Sequence, residues 1–98
     1  MKIRILVSAC QDLADGRQFY EEQAEGIGEY FLDSLSSDID SLTLYAGIHP
    51  KAFEFHRMLS QRFPWAVYYR VDRDEVVVFR VLDCRQDPRR IQSALRSE

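Results

Sequence analysis

The sequence predicts a single α+β domain spanning residues 1–98. Its parts are an N-terminal strand, an antiparallel helical hairpin, a three-stranded antiparallel meander that completes one sheet, and a short C-terminal helix. Three observations predict this. Apolar residues recur with a period of 3.6 before Pro50 and of two after it. Gly26 and Gly28 interrupt the helical stretch where a chain reversal would sit. Asp87-Pro88 has the chemistry of a helix start.

Ile3, Ile5 and Val7 alternate with Lys2, Arg4 and Leu6, so the chain opens with a short strand. From Ala9 to about Ala24 the pattern is helical, with Leu13, Tyr20 and Ile27 seven apart. Ser8, with Gln11 three residues on, is the expected cap of that helix. The second helix runs over about 28–46. Ile27, Tyr30, Phe31, Ser34, Leu35, Ile39 and Leu42 form its apolar stripe, and Asp33, Asp38 and Asp40 its outer face. Gly47 is its natural C-cap, and Pro50 lies beyond.

After Pro50 a strand is expected through Phe53 and Phe55. Another follows, with Trp65, Val67, Tyr69 and Val71 on one face and Tyr68 and Arg70 on the other. Asp72-Arg73-Asp74-Glu75 is the hairpin turn. Val76 to Leu82 is apolar on both faces apart from Arg80, the pattern of a central strand. Four strands are therefore expected, mainly antiparallel, with the helical hairpin across one face.

The composition is 46% hydrophobic and 30% charged, which excludes a disordered chain. Apolar runs such as Ile5-Leu6-Val7 and Val76-Val77-Val78-Phe79 are far too short to span a membrane. Met1-Lys2 leads straight into a strand, so no signal peptide is read and a cytoplasmic location is expected. Cys10 and Cys84 are expected as free, buried thiols. His49 and His56 have no cysteine or carboxylate at metal-site spacing, and no glycine loop could cradle a phosphate, so neither metal nor cofactor is expected.

Charge is uneven. Residues 1–48 hold three Lys or Arg and nine Asp or Glu, a net −6, whereas residues 49–98 hold ten and seven, a net +3. The second half thus offers a local basic surface to an anionic partner, or simply solvates a sheet face.

Three segments resemble the RelE/ParE toxin superfamily of bacterial type II toxin–antitoxin systems. "FYEEQAEGIGEYFLDSL" is similar to the family's helix–Gly–helix signature. "RMLSQRFPWAVYYRVDRDEVVVFRVL" is similar to its strand hairpin, and "RQDPRR" to the "R.DP" that closes the last strand. They follow one another in the family's order across residues 19–90.

The resemblance implies a toxin that arrests growth and forms a hetero-oligomer with a cognate antitoxin. Its target would be DNA gyrase or the ribosome with its mRNA. Asp83 stands where many members carry His, and no His or Tyr follows Tyr69. RNA cleavage requires proton transfer to and from the reacting oxygens, which arginine performs poorly. His56, Arg62 and Arg85 are the catalytic candidates for a RelE-like, ribosome-dependent mRNA endonuclease. Arg57, Arg62, Arg80, Arg85 and Arg89 are the candidates for a partner- or phosphate-binding face. The resemblance leans to the ParE-like branch, which binds and inhibits gyrase; a degenerate toxin that only binds its antitoxin is the remaining alternative.

Overall fold

The computed structural model describes all residues, 1–98. Nine elements follow in order: β1 (Lys2–Ile5), α1 (Val7–Gln23), α2 (Ile27–Asp40), α3 (Leu42–Tyr45), β2 (Lys51–Ala52), β3 (Phe55–Leu59), β4 (Trp65–Asp72), β5 (Glu75–Asp83) and α4 (Pro88–Arg96). The sheet order is β1-β5-β4-β3-β2. The α+β class, the helical hairpin, the antiparallel β3-β4-β5 meander and the short last helix are all as expected.

The sheet departs from expectation in two ways. It is mixed, because β1 pairs parallel to β5 in the register Ile3↔Val76. It also has a fifth strand. The predicted strand after Pro50 breaks at Phe53 and Glu54, which form a two-residue turn, and Lys51 and Ala52 pair back onto His56 and Phe55.

Helix boundaries shift as well. Leu6, not Ser8, is the N-cap residue of α1, and no side chain caps it. The second helix breaks at Ser41, whose Oγ donates to the Asp38 carbonyl at 2.6 Å and so competes with the helical ladder. Cys10 and Cys84 are free as expected, but neither is buried: Cys10 is exposed and Cys84 only partly covered.

Two cores sandwich the sheet. The helical hairpin covers one face: Leu13 of α1 and Phe31, Leu35 and Ile39 of α2 pack on Trp65, Val67, Tyr69, Val76, Val78 and Val81. Helix α4 covers the other, with Ile91 and Leu95 on Phe55, Ala66, Tyr68 and Leu82. Tyr68 and Tyr69 thus pack on opposite faces, as strand alternation requires.

One irregularity sets which side chain faces which core. Tyr68 pairs with Arg80 but Tyr69 pairs with Val78, so Phe79 is an unpaired bulge residue. Before it, Val76 and Val78 face the hairpin; after it, Val81 does. No helix of the chain is long and apolar enough to cross a membrane.

Candidate target-binding face

The pairing of Trp65 with Asp83 brings the ends of β4 and β5 beside the loop of residues 60–64. An aromatic cluster fills the space between that end and the helical hairpin. The Phe63 ring lies 4.9 Å from Tyr20, 5.2 Å from Phe31 and 5.5 Å from Tyr30. Trp65 Nε1 donates to the Tyr20 hydroxyl at 3.0 Å. Two arginines rim the cluster. The Arg62 guanidinium carbon is 6.0 Å from the Tyr30 ring centroid. Arg85 donates to the Tyr20 hydroxyl at 3.3 Å. Phe19 and Tyr30 remain exposed beside them.

Arg85 also grips Asp83 through Nε at 3.0 Å and Nη2 at 2.8 Å, and its backbone N–H adds a third bond at 2.8 Å. The guanidinium first, and that N–H after it, hold the Asp83 carboxyl below its ordinary pKa, against partial burial. Asp83 therefore neutralises Arg85, and Asp87 does not. Asp87 instead caps α4 through the Arg89 N–H at 2.8 Å and pairs with the Arg89 side chain at 3.0 Å.

The remaining candidates lie elsewhere. Arg80 is committed to Asp12 of α1, with Nε at 2.7 Å and Nη2 at 2.8 Å from its carboxylate oxygens. Arg57 is half-buried on the α4 side, donating to the Tyr68 hydroxyl at 3.2 Å and to Cys84 Sγ at 3.3 Å.

His56 sits near the β2 end of β3, whereas Arg62 follows the other end of that strand. Its ring stacks on Tyr69 at 5.0 Å, and Nδ1 donates to the His49 carbonyl at 2.7 Å. His49 in turn contacts the Tyr69 hydroxyl, which also accepts the Gly47 N–H at 2.9 Å. The fold brings Arg62 and Arg85 to one end of the sheet and leaves His56 at the other.

Composition alone missed the aromatic partners of the arginines. The helical stripe placed Tyr20 and Tyr30 only as packing residues, and the Phe63-Pro64 turn carried no sign that its ring joins them.

The chain matches a family model over residues 3–88, that of the ParE toxin of the type II toxin–antitoxin system, parDE. It is similar in structure to a solved chain described as the chromosomal ParDE TA system from P. aeruginosa. The TM-score is 0.75 at 16% sequence identity, over 83% of this chain and 92% of that one. No curated protein matches it.

Proposed function

The chain belongs to the ParE toxin family of type II toxin–antitoxin systems, and from that premise we propose that it arrests growth by binding DNA gyrase, with no bond chemistry of its own, until a cognate antitoxin sequesters it in a hetero-oligomer. One observation carries the choice between gyrase and mRNA. Arg62 and Arg85 meet on an aromatic cluster, while His56, the candidate proton carrier, is bonded to His49 at the far end of β3. A ribonuclease reaction needs a proton acceptor and donor within hydrogen-bond reach of the phosphate that the arginines hold. A protein-binding face needs aromatic anchors within a polar rim, and this end offers an aromatic cluster rimmed by arginines.

Asp83 fits the same reading. A carboxylate forked onto Arg85 would repel a scissile phosphate and draw the guanidinium away from it. At the rim of a protein interface the same pairing does no harm, since rim charges mainly steer association.

Purified protein should inhibit gyrase supercoiling, and Arg62→Ala and Arg85→Ala should each weaken that inhibition, more at low salt than at high salt, as rim charges that steer association do. Ribosome-dependent mRNA cuts that His56→Ala abolishes, with supercoiling untouched, would sink the gyrase reading and place the protein among the endonucleases. No effect in either assay, with tight antitoxin binding, would mark a toxin that has kept only its antitoxin.

A further inference from the structure

Phe53 and Glu54, the two residues between β2 and β3, have φ of 55° and 72°. A two-residue turn of this kind suits Asn-Gly, which enters the left-handed region at little cost. A bulky Phe does not, so it persists there only because something holds it. Burial does not: the Phe53 side chain stays 41% exposed.

The turn abuts an arginine with an unusual setting. Arg70 Nε donates to the Glu54 carbonyl at 3.4 Å, and its guanidinium carbon lies 4.1 Å from the Phe55 ring centroid and 5.2 Å from that of Phe79. Arg4, Arg17, Arg80, Arg85 and Arg89 each have a carboxylate partner; Arg70, like Arg57, Arg62, Arg73, Arg90 and Arg96, has none, and what sets it apart is its seat on two aromatic rings. Arg70 lines a cavity of about 320 Å³ between the turn and the end of α4, together with Arg96. Glu54 and Glu98 also border it, and Glu98 faces Arg80 at 3.6 Å.

An arginine laid on two aromatic rings has lost its rotamer freedom before any ligand arrives. Its open fork matches the paired oxygens of a carboxylate or a phosphate. A nucleic-acid backbone gains affinity from many cations at once. This chain carries net charge −3, and two glutamates border the pocket. A single carboxylate beside an apolar side chain suits it better, since Phe53 can cover the apolar neighbour.

We propose that the Arg70 pocket receives an Asp or Glu side chain of a partner protein, and that the strained turn holds Phe53 against the residue next to it. The inference rests on the reading of the chain as a toxin held by an antitoxin, and names where an acidic residue of that antitoxin docks.

The probe is the antitoxin encoded beside this gene, titrated calorimetrically against the purified full chain. Arg70→Gln should weaken binding at least tenfold, and Arg70→Lys should restore only part of it, because an ammonium cannot fork. Phe53→Asn should raise the melting temperature by relieving the left-handed strain and yet weaken binding severalfold. A purely structural turn would lose stability and affinity together. Unchanged affinity in both Arg70→Gln and Phe53→Asn would overturn the pocket while leaving the toxin–antitoxin reading intact. Failure of the wild-type chain to bind that antitoxin would overturn both. Binding of single-stranded RNA that Arg70→Gln abolishes, with antitoxin affinity unchanged, would assign the pocket to phosphate instead.

Discussion

The Tyr69 hydroxyl shares a hydrogen bond with the His49 ring. It accepts the Gly47 N–H at 2.9 Å, so its own proton is free to go to His49 Nδ1. With Tyr69 as the donor, that nitrogen carries a lone pair and His49 is neutral with its proton on Nε2. Burial first, and the charge of His56 second, push the His49 pKa below its ordinary value. Folding therefore favours the neutral ring. Its contribution is complete above the unfolded pKa of about 6.5 and is lost as pH falls below that value toward the lower folded one. The melting temperature of the wild type should fall between about pH 7.5 and 5.5 relative to that of His49→Asn, whose side-chain oxygen accepts the same proton without titrating. Parallel curves would show that the network does not select the neutral ring. None of this was legible in the sequence. His49 and His56 stand seven apart with no motif around them, and only the β3–β4 register, His56↔Tyr69, brings both to one tyrosine.

The joint between α1 and α2 is the element whose sequence pattern was plainest. Gly26 has φ of 88°, so the chain reverses through the left-handed region there. The Glu21 carboxylate closes the joint by accepting the Gly26 N–H at 3.0 Å and the Gly28 N–H at 2.9 Å. Those two bonds lower its pKa, as a helix N-terminus does for an anion. Gly28 serves a different need. A Cβ there would lie 2.6 Å from the Arg17 carbonyl oxygen, so α2 can start against α1 only without a side chain. Gly26→Val should cost more than about 1 kcal/mol through backbone strain. Gly28→Ala should cost about 2 kcal/mol, because a backbone oxygen rather than a flexible side chain must move. Chemical unfolding measures both, and wild-type midpoints in the two variants would refute the close approach. The pair was readable because each glycine's requirement is local. The Phe53-Glu54 turn and the Phe79 bulge were not, because neither uses turn or bulge residues. Period-two reading therefore ran straight through both, giving one strand too few and leaving Arg80 as a candidate for the partner- or phosphate-binding face.

Arg80 is instead where the layers of the molecule meet. Strand β1 pairs with β5 only as far as Val78, and Leu6 N closes that ladder on the Val78 carbonyl at 3.0 Å. Helix α1 then starts and lies along the rest of the β5 edge. Asp12 accepts the Val81 N–H at 3.0 Å, the place a longer β1 would have filled, and forks onto Arg80 with the same carboxylate. Arg80 Nη1 continues to the Ala94 carbonyl of α4 at 3.2 Å. One guanidinium thus joins the hairpin layer, the sheet and the α4 layer, across 68 residues of sequence between Asp12 and Arg80. No local signal marks such a contact; it follows from a strand ending early and a helix covering the gap. The two side chains are 11% and 19% exposed, so removing one leaves the other poorly solvated. Asp12→Ala strands the Val81 N–H and takes from Arg80 its carboxylate fork, leaving the Ala94 carbonyl and Glu98, and should cost about 2–4 kcal/mol. In a domain of this size that is a fall of roughly 10 °C or more in melting temperature. Arg80→Met should cost less, since Asp12 keeps the Val81 bond. The double variant Asp12→Ala with Arg80→Met should cost clearly less than the two single losses added together, because the second change removes a charge the first has already stranded. Additive losses in that cycle, or an Asp12→Ala protein that melts with the wild type, would mean that the ion pair does not tie the layers together.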